Sequence, residues 1–125
     1  MDSVAQSVYE TLDDVDALRS VASFAATERT VVFLREDVEP DFPETRQQDT
    51  LREALFQTMA APILEEEFGG DLHTTTHVFD DKLVFIHRVD ADADAGVFVS
   101  LDNSGDFAHR EILRALEAAT TQHRQ

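Results

Sequence analysis

Three aspartates alternate with alanine at positions 90, 92 and 94 in the stretch HRVDADADAGVFVSLD. Oxygen ligands at alternate positions open a calcium loop of the EF type, which then needs glycine at its sixth position and a bidentate glutamate at its twelfth. Counted from Asp90, the sixth residue is Ala95 and glycine arrives one place late, at Gly96. The twelfth is Leu101, which has no oxygen to offer. A looser cation site would have to draw on Asp102. The simpler reading is a polar hairpin connection, with Gly96 letting the backbone turn. Asp90, Asp92 and Asp94 are therefore not assigned as metal ligands.

The histidines of HTTTH, His73 and His77, are four apart and His87 follows. On a helix that spacing brings two imidazoles to one zinc ion. On a strand, four residues span roughly 13 Å, whereas zinc bonds are only about 2 Å long. If Asp80-Asp81 forms a two-residue turn, Thr74 faces His87. His87 then lies on the opposite sheet face from the other two histidines. No metal site is expected from this trio.

Other chemistry is harder to assemble. Ser100 and Ser104 lack the strand-turn-helix G-x-S-x-G setting of an activated serine. Four glycines form no phosphate-binding loop. Carboxylates are so numerous that no pair is diagnostic of acid–base work. No catalytic, cofactor-binding or metal-binding residue is assigned, and no cofactor is expected. Glu65, Glu66 and Glu67 could receive a basic partner, but they read more simply as a solvated face.

The charge explains much of this. Twenty-six acidic residues stand against ten basic ones, for a formal net charge of −16, and Lys82 is the only lysine. The acids run from Asp2 to Glu117 rather than forming a tail. At about 1 M salt the Debye length falls to roughly 3 Å, so dispersed carboxylates cease to repel one another at a distance. In dilute buffer the same charge works against the compact state. The composition thus implies a halophilic source with a salt-filled cytoplasm. It disfavours nucleic acid, which needs a basic footprint, and anionic membrane surfaces. There are no cysteines, hence no disulfides or thiol chemistry. No apolar run approaches the ~20 residues of a membrane span. The N-terminus lacks the basic and apolar regions of a signal peptide, so a cytoplasmic location is expected.

The elements follow from apolar spacing. Val4, Val8, Leu12, Val15, Leu18, Ala22 and Ala25 recur at steps of three and four, which predicts a helix over 13–27, with a loose turn at 3–9 before it. Val31–Leu34 predicts a strand buried on both faces. Pro40 and Pro43 punctuate a loop. A helix then starts near Arg46 or Asp49 and meets Pro62, which predicts a kink or a second helix. Gly69-Gly70 closes it. The segments 71–79, 82–89 and 95–102 predict a three-stranded meander. Ser104 or Asp106 caps a last helix whose apolar side carries Phe107, Ile112, Leu113 and Leu116.

The 125 residues thus predict one α+β domain, 1–125, in the order α-β-α-β-β-β-α. One N-terminal strand and the meander form an antiparallel-type sheet covered by helices. This order resembles the roadblock and profilin-like domains, in which a long helix lies between two N-terminal strands and a three-stranded meander. It departs from them where a second N-terminal strand is expected, near 37–44, because Pro40 and Pro43 stand there. The segment VVFLREDV and the composition are also similar to short uncharacterised haloarchaeal proteins. The resemblance implies dimerisation and the binding of small regulatory GTPases. The strand 72–79 is polar and ends the meander, and an unpaired edge recruits partners, including a second copy. The expected role is a non-catalytic interaction or regulatory module, self-associating as a homodimer through strand 72–79. The alternative is a small-molecule or metal-binding sensor with a pocket between sheet and helices.

Overall fold

Val4, Ala5, Val8 and Leu12 are all buried, and their spacing winds the first helix, α1 (Asp2–Leu12), in the computed structural model of the chain. The structure describes residues 2–25, 28–41, 44–90, 95–103 and 109–124. The helix predicted over 13–27 is not there. The chain turns after Leu12, with Val15 N–H donating to the Leu12 carbonyl and Leu18 N–H to that of Val15. It then runs into a strand, β1 (Leu18–Ala25); residues 26 and 27 lie outside the described residues. The steps of three and four were carried across the turn by coincidence. Val21, Ala22, Ser23 and Phe24 are all buried, so β1 has no alternation to betray it. Its serines and alanines add no strand preference of their own.

β2 (Glu28–Leu34) contains the predicted Val31–Leu34 run and pairs antiparallel with β1. The sheet therefore has two N-terminal strands rather than one. The prolines do not interrupt the second, which ends before them; Pro40 sits in a 3₁₀ turn at Glu39–Asp41. A single helix, α2 (Glu44–Phe68), follows and runs through Pro62 without a break. The missing N–H removes one hydrogen bond, to the Thr58 carbonyl, from a helix of 25 residues. Gly69 and Gly70 end it at φ of 79° and 83°, the left-handed region where a side chain is strained.

The meander is as expected. β3 (Thr74–Val78), β4 (Lys82–Asp90) and β5 (Ala95–Asp102) are antiparallel neighbours, and α3 (His109–Arg124) follows. Thr74 pairs with His87, as a turn at Asp80-Asp81 requires. Among the described residues the sheet has five strands in the order β2-β1-β5-β4-β3.

The two faces of this sheet differ. On the inner face, Leu18, Val21, Leu83, Phe85, Val97, Val99 and Leu101 meet α1 and the Ile112, Ala115, Leu116 and Ala119 side of α3. Tyr9 on α1 stacks on Phe33 of β2 with ring centroids 5.0 Å apart. On the outer face a smaller cluster joins Phe24 and Ile86 to Val84 and Phe98. The helix α2 lies on that side.

Gly96 is not the turn residue its place after the aspartates suggests. It lies inside β5, opposite both Phe24 and Arg88. A Cβ there would collide with the His87 carbonyl oxygen and come within 2.8 Å of the Phe24 ring. Glycine is required because two strands and an aromatic ring close on this position.

Candidate interaction surface

β3 is the last strand of the sheet, so one of its two rows of backbone groups has no partner strand. What fixes this edge is a buried relay. The His87 Nδ1 lies 2.7 Å from the Thr74 hydroxyl, and its Nε2 lies 2.8 Å from the Thr120 hydroxyl. Thr120 donates its own proton to the Leu116 carbonyl at 2.8 Å. The Thr120 oxygen is thus left to accept from Nε2–H, and Nδ1 is bonded to the Thr74 hydroxyl. The imidazole joins the edge strand to α3 through β4. His87 is 3% exposed, at the wall of a cleft of about 380 Å³ that Leu113 and Glu117 of α3 also line. His73 precedes β3, and His77 faces the outer side together with Val84 and Ile86. His87 is thus on the opposite face from His77, as expected, but not from His73, which lines the same cleft as His87.

The chain entering this same end of β3 is held by Glu65. Its carboxylate accepts from the Leu72 N–H at 2.8 Å and from Arg88 at 3.3 Å, while Arg88 also donates to the Leu72 carbonyl at 2.9 Å. The first glutamate of the EEE run therefore anchors the connection from α2 to β3, and only Glu66 and Glu67 form a solvated face.

Large apolar residues are exposed on α2 and at the end of β3. Phe56, Ile63, Leu64 and Phe68 of α2 are 68%, 72%, 46% and 81% exposed, and Val78 and Phe79 at the end of β3 are 67% and 48% exposed. At 100° per residue the four α2 positions fall within one arc of the helix. Single exposed apolar residues are ordinary, but a grouped set of this kind marks an interaction site. The sequence offered a faint sign of it. The segment 44–68 holds more large apolar residues than one buried stripe needs, with Phe56, Ile63 and Phe68 additional to the Leu51, Leu55 side. Reading Pro62 as a break hid that surplus.

The aspartates resolve differently. Asp90 ends β4 opposite Ala95. Asp92 and Asp94, and with them the hairpin reading of this stretch, lie outside the described residues. Asp102 is at the far end of β5 and is already committed. Arg35 holds it through two hydrogen bonds of 2.6 and 3.0 Å, and Arg19 adds one of 3.1 Å. Arg35 also grips Asp37 at 2.6 and 3.0 Å. These guanidinium bonds, those of Arg35 first, hold the Asp102 carboxyl below its ordinary range, and Arg35 likewise lowers Asp37. The bonds to Asp102 in turn raise the Arg35 pKa. The looser calcium site through Asp102 is therefore not built. Among the described residues no three His, Asp or Glu side chains gather as metal ligands. No helix among them is long and apolar enough to cross a membrane.

A five-stranded antiparallel sheet with two helices on one face and a long helix on the other is the fold of roadblock/LC7 domains. The roadblock/LC7 domain from Streptomyces avermitilis superposes with a TM-score of 0.69, covering 96% of this chain and 93% of its own, at 12% identity. MglB from Myxococcus xanthus gives 0.64 over 94% and 89% of the two chains, also at 12% identity. MglC from the same organism gives 0.60 over 96% and 95%, again at 12% identity. By sequence, residues 5–121 match a domain of unknown function, DUF7522, and the chain belongs to that family. A search of curated protein sequences finds no match.

Proposed function

We propose that this chain is a non-catalytic interaction module that self-associates through the β3 edge and the apolar flank of α2. The observations that carry this are the unpaired edge of β3 and the exposure of Phe56, Ile63 and Phe68 on α2 and of Val78 and Phe79 at the end of β3. Two copies related by a two-fold axis can pair such edges antiparallel, each offering the same patch to the other. The Thr-rich strand supplies backbone hydrogen bonds, and the phenylalanines supply the area removed from water. A structural neighbour, described as MglB with tetrameric arrangement, has a TM-score of 0.63 at 15% identity and supports assembly as a use of this fold.

Charge sets the conditions. Two copies, each at −16, repel in dilute buffer and approach freely in concentrated salt. This suits a cytoplasmic protein of a halophilic archaeon, as the composition implies. Light scattering over a KCl series tests the proposal. The wild-type protein is expected to be a dimer or larger in concentrated KCl. Val78→Lys, which places a charge on the edge, and Ile63→Ser are expected to give monomers with unchanged circular dichroism. A wild-type protein that stays monomeric at high concentration in salt would overturn it.

A further inference from the structure

Between the outer face of the sheet and the first half of α2 lies a cleft of about 540 Å³, within the range that holds small ligands. Its floor is apolar, made by Val84, Ile86 and Phe98. Its polar groups are unusual for this chain. Three of the ten basic side chains, Arg19, Arg46 and Lys82, line this one cleft against two acids, Glu53 and Asp81. Basic groups thus outnumber acids in this lining, in a chain whose net charge is −16.

Several of these groups have protons still to give. Ser20 and Ser100 are hydrogen-bonded to each other on the floor, so one hydroxyl proton of the pair has no acceptor among the described residues. Lys82 makes one bond, to Asp81 at 3.1 Å, and has two further N–H groups. The Arg19 guanidinium donates once, to Asp102, and its remaining N–H groups have no acceptor among the described residues. The Ser100 residue is only 7% exposed, so its hydroxyl is largely removed from bulk water. Donors collected beside an apolar floor call for an acceptor-rich ligand with an apolar body.

We propose that this cleft binds a small organic monocarboxylate, its carboxylate held by Arg19, Lys82 and the Ser20–Ser100 pair and its apolar body lying on Val84, Ile86 and Phe98. Arg19 and Lys82, each already holding one acid, keep N–H groups enough for one further carboxylate. A phosphate monoester brings nearly two negative charges, and the second would face Glu53 and Asp81. The floor's Phe98 and the cleft's Phe79 suit an aromatic or branched acyl body. The site shares Phe79 with the surface proposed for self-association, but its carboxylate-binding groups, on β1, β4 and β5, are not part of that surface.

Titration of the ¹⁵N-labelled full chain in KCl tests this, with 3-phenylpropionate as probe and phenyl phosphate and 3-phenylpropan-1-ol as controls. Saturable shifts are expected at the Val84, Ile86, Phe98 and Ser100 amides and not at Leu116. The alcohol is expected to bind at least about tenfold more weakly, the loss expected when charge-assisted bonds are missing, and phenyl phosphate by a similar factor because its second charge faces Glu53 and Asp81. Lys82→Gln, on the rim, and Ser20→Ala are each expected to weaken the acid by roughly three- to tenfold with the melting temperature held. Arg19→Gln is expected to weaken it further, and its bond to Asp102 makes Lys82→Gln the cleaner variant. The proposal fails if the alcohol binds as well as the acid, if Lys82→Gln and Ser20→Ala leave the affinity unchanged, or if no saturable shifts occur. Tighter binding of phenyl phosphate than of the acid would overturn the monocarboxylate assignment.

Discussion

The two faces of the sheet are made from the same strands yet are built to different ends. On the inner side, α1 and α3 close over Leu83, Phe85, Val97, Val99 and Leu101, each at most 1% exposed. On the outer side the cluster is small, Ser20 and Ser100 replace apolar residues, and α2 turns Phe56, Ile63 and Phe68 to solvent. Most of the apolar area buried by the fold, and hence most of its hydrophobic stabilisation, lies on the inner side. The outer side and its flank are left free to take a ligand or a second copy.

The largest expected effect comes from breaking the inner face. Phe85 is 0% exposed at the centre of the inner cluster. Phe85→Ala is expected to cost about 3–5 kcal/mol, the transfer loss plus the cavity left behind. Denaturant unfolding in concentrated KCl would measure it. An equal loss from Phe98→Ala, on the outer face and only partly buried, would remove the distinction between the faces.

Gly96 is where the two faces constrain one another. Any Cβ there meets the His87 carbonyl and the Phe24 ring. Gly96→Ala is expected to cost about 2–3 kcal/mol through overpacking that the backbone cannot relieve. Phe24→Leu in the same chain removes the ring but not the carbonyl, so it should recover only part of the loss in the same unfolding measurement.

The clamp at the sheet's end gives a smaller effect with a pH signature. Asp102, about a third exposed, joins Arg35 and Arg19. Asp102→Asn is expected to cost about 1–2 kcal/mol, reduced by that exposure from the value of a fully buried charged bond. Its carboxyl is held below its unfolded value by the Arg35 bonds. The stabilisation is therefore fully present above the unfolded pKa of about 3.9, and it is lost as pH falls through the lower folded value. Melting temperatures of the wild type should drop more steeply than those of Asp102→Asn as the solution is acidified through that window. Parallel curves would mean the clamp does not act through charge.

What was legible in the sequence follows the same division. The meander was read to the level of register, Thr74 against His87, because its strands alternate and a short acidic turn separates two of them. β1 was misread as helix because both of its faces are covered and its small residues carry no period. Pro62 was over-read, since a long helix tolerates one lost hydrogen bond. The departure from roadblock order expected near 37–44 disappears because the second N-terminal strand ends at Leu34, before the prolines. The cleft was not legible residue by residue. Arg19, Lys82, Ser20 and Ser100 come from three strands, and only the β1–β5 and β4–β5 registers bring them together.

The smallest effect on stability is expected where the effect on assembly is largest. Phe68 is 81% exposed at the last residue of α2. Phe68→Ser removes little buried area, so the unfolding free energy of the isolated chain should move by no more than about 0.5 kcal/mol. A second copy that covers this ring would instead lose an aromatic contact of the kind that dominates interfaces. Sedimentation velocity in concentrated KCl should then show the monomer fraction rising at fixed protein concentration, with the circular dichroism spectrum unchanged. If Phe68→Ser destabilises the monomer as Phe85→Ala does, the outer flank is core rather than interface. If it alters neither stability nor association, the second copy does not cover the C-terminal end of α2.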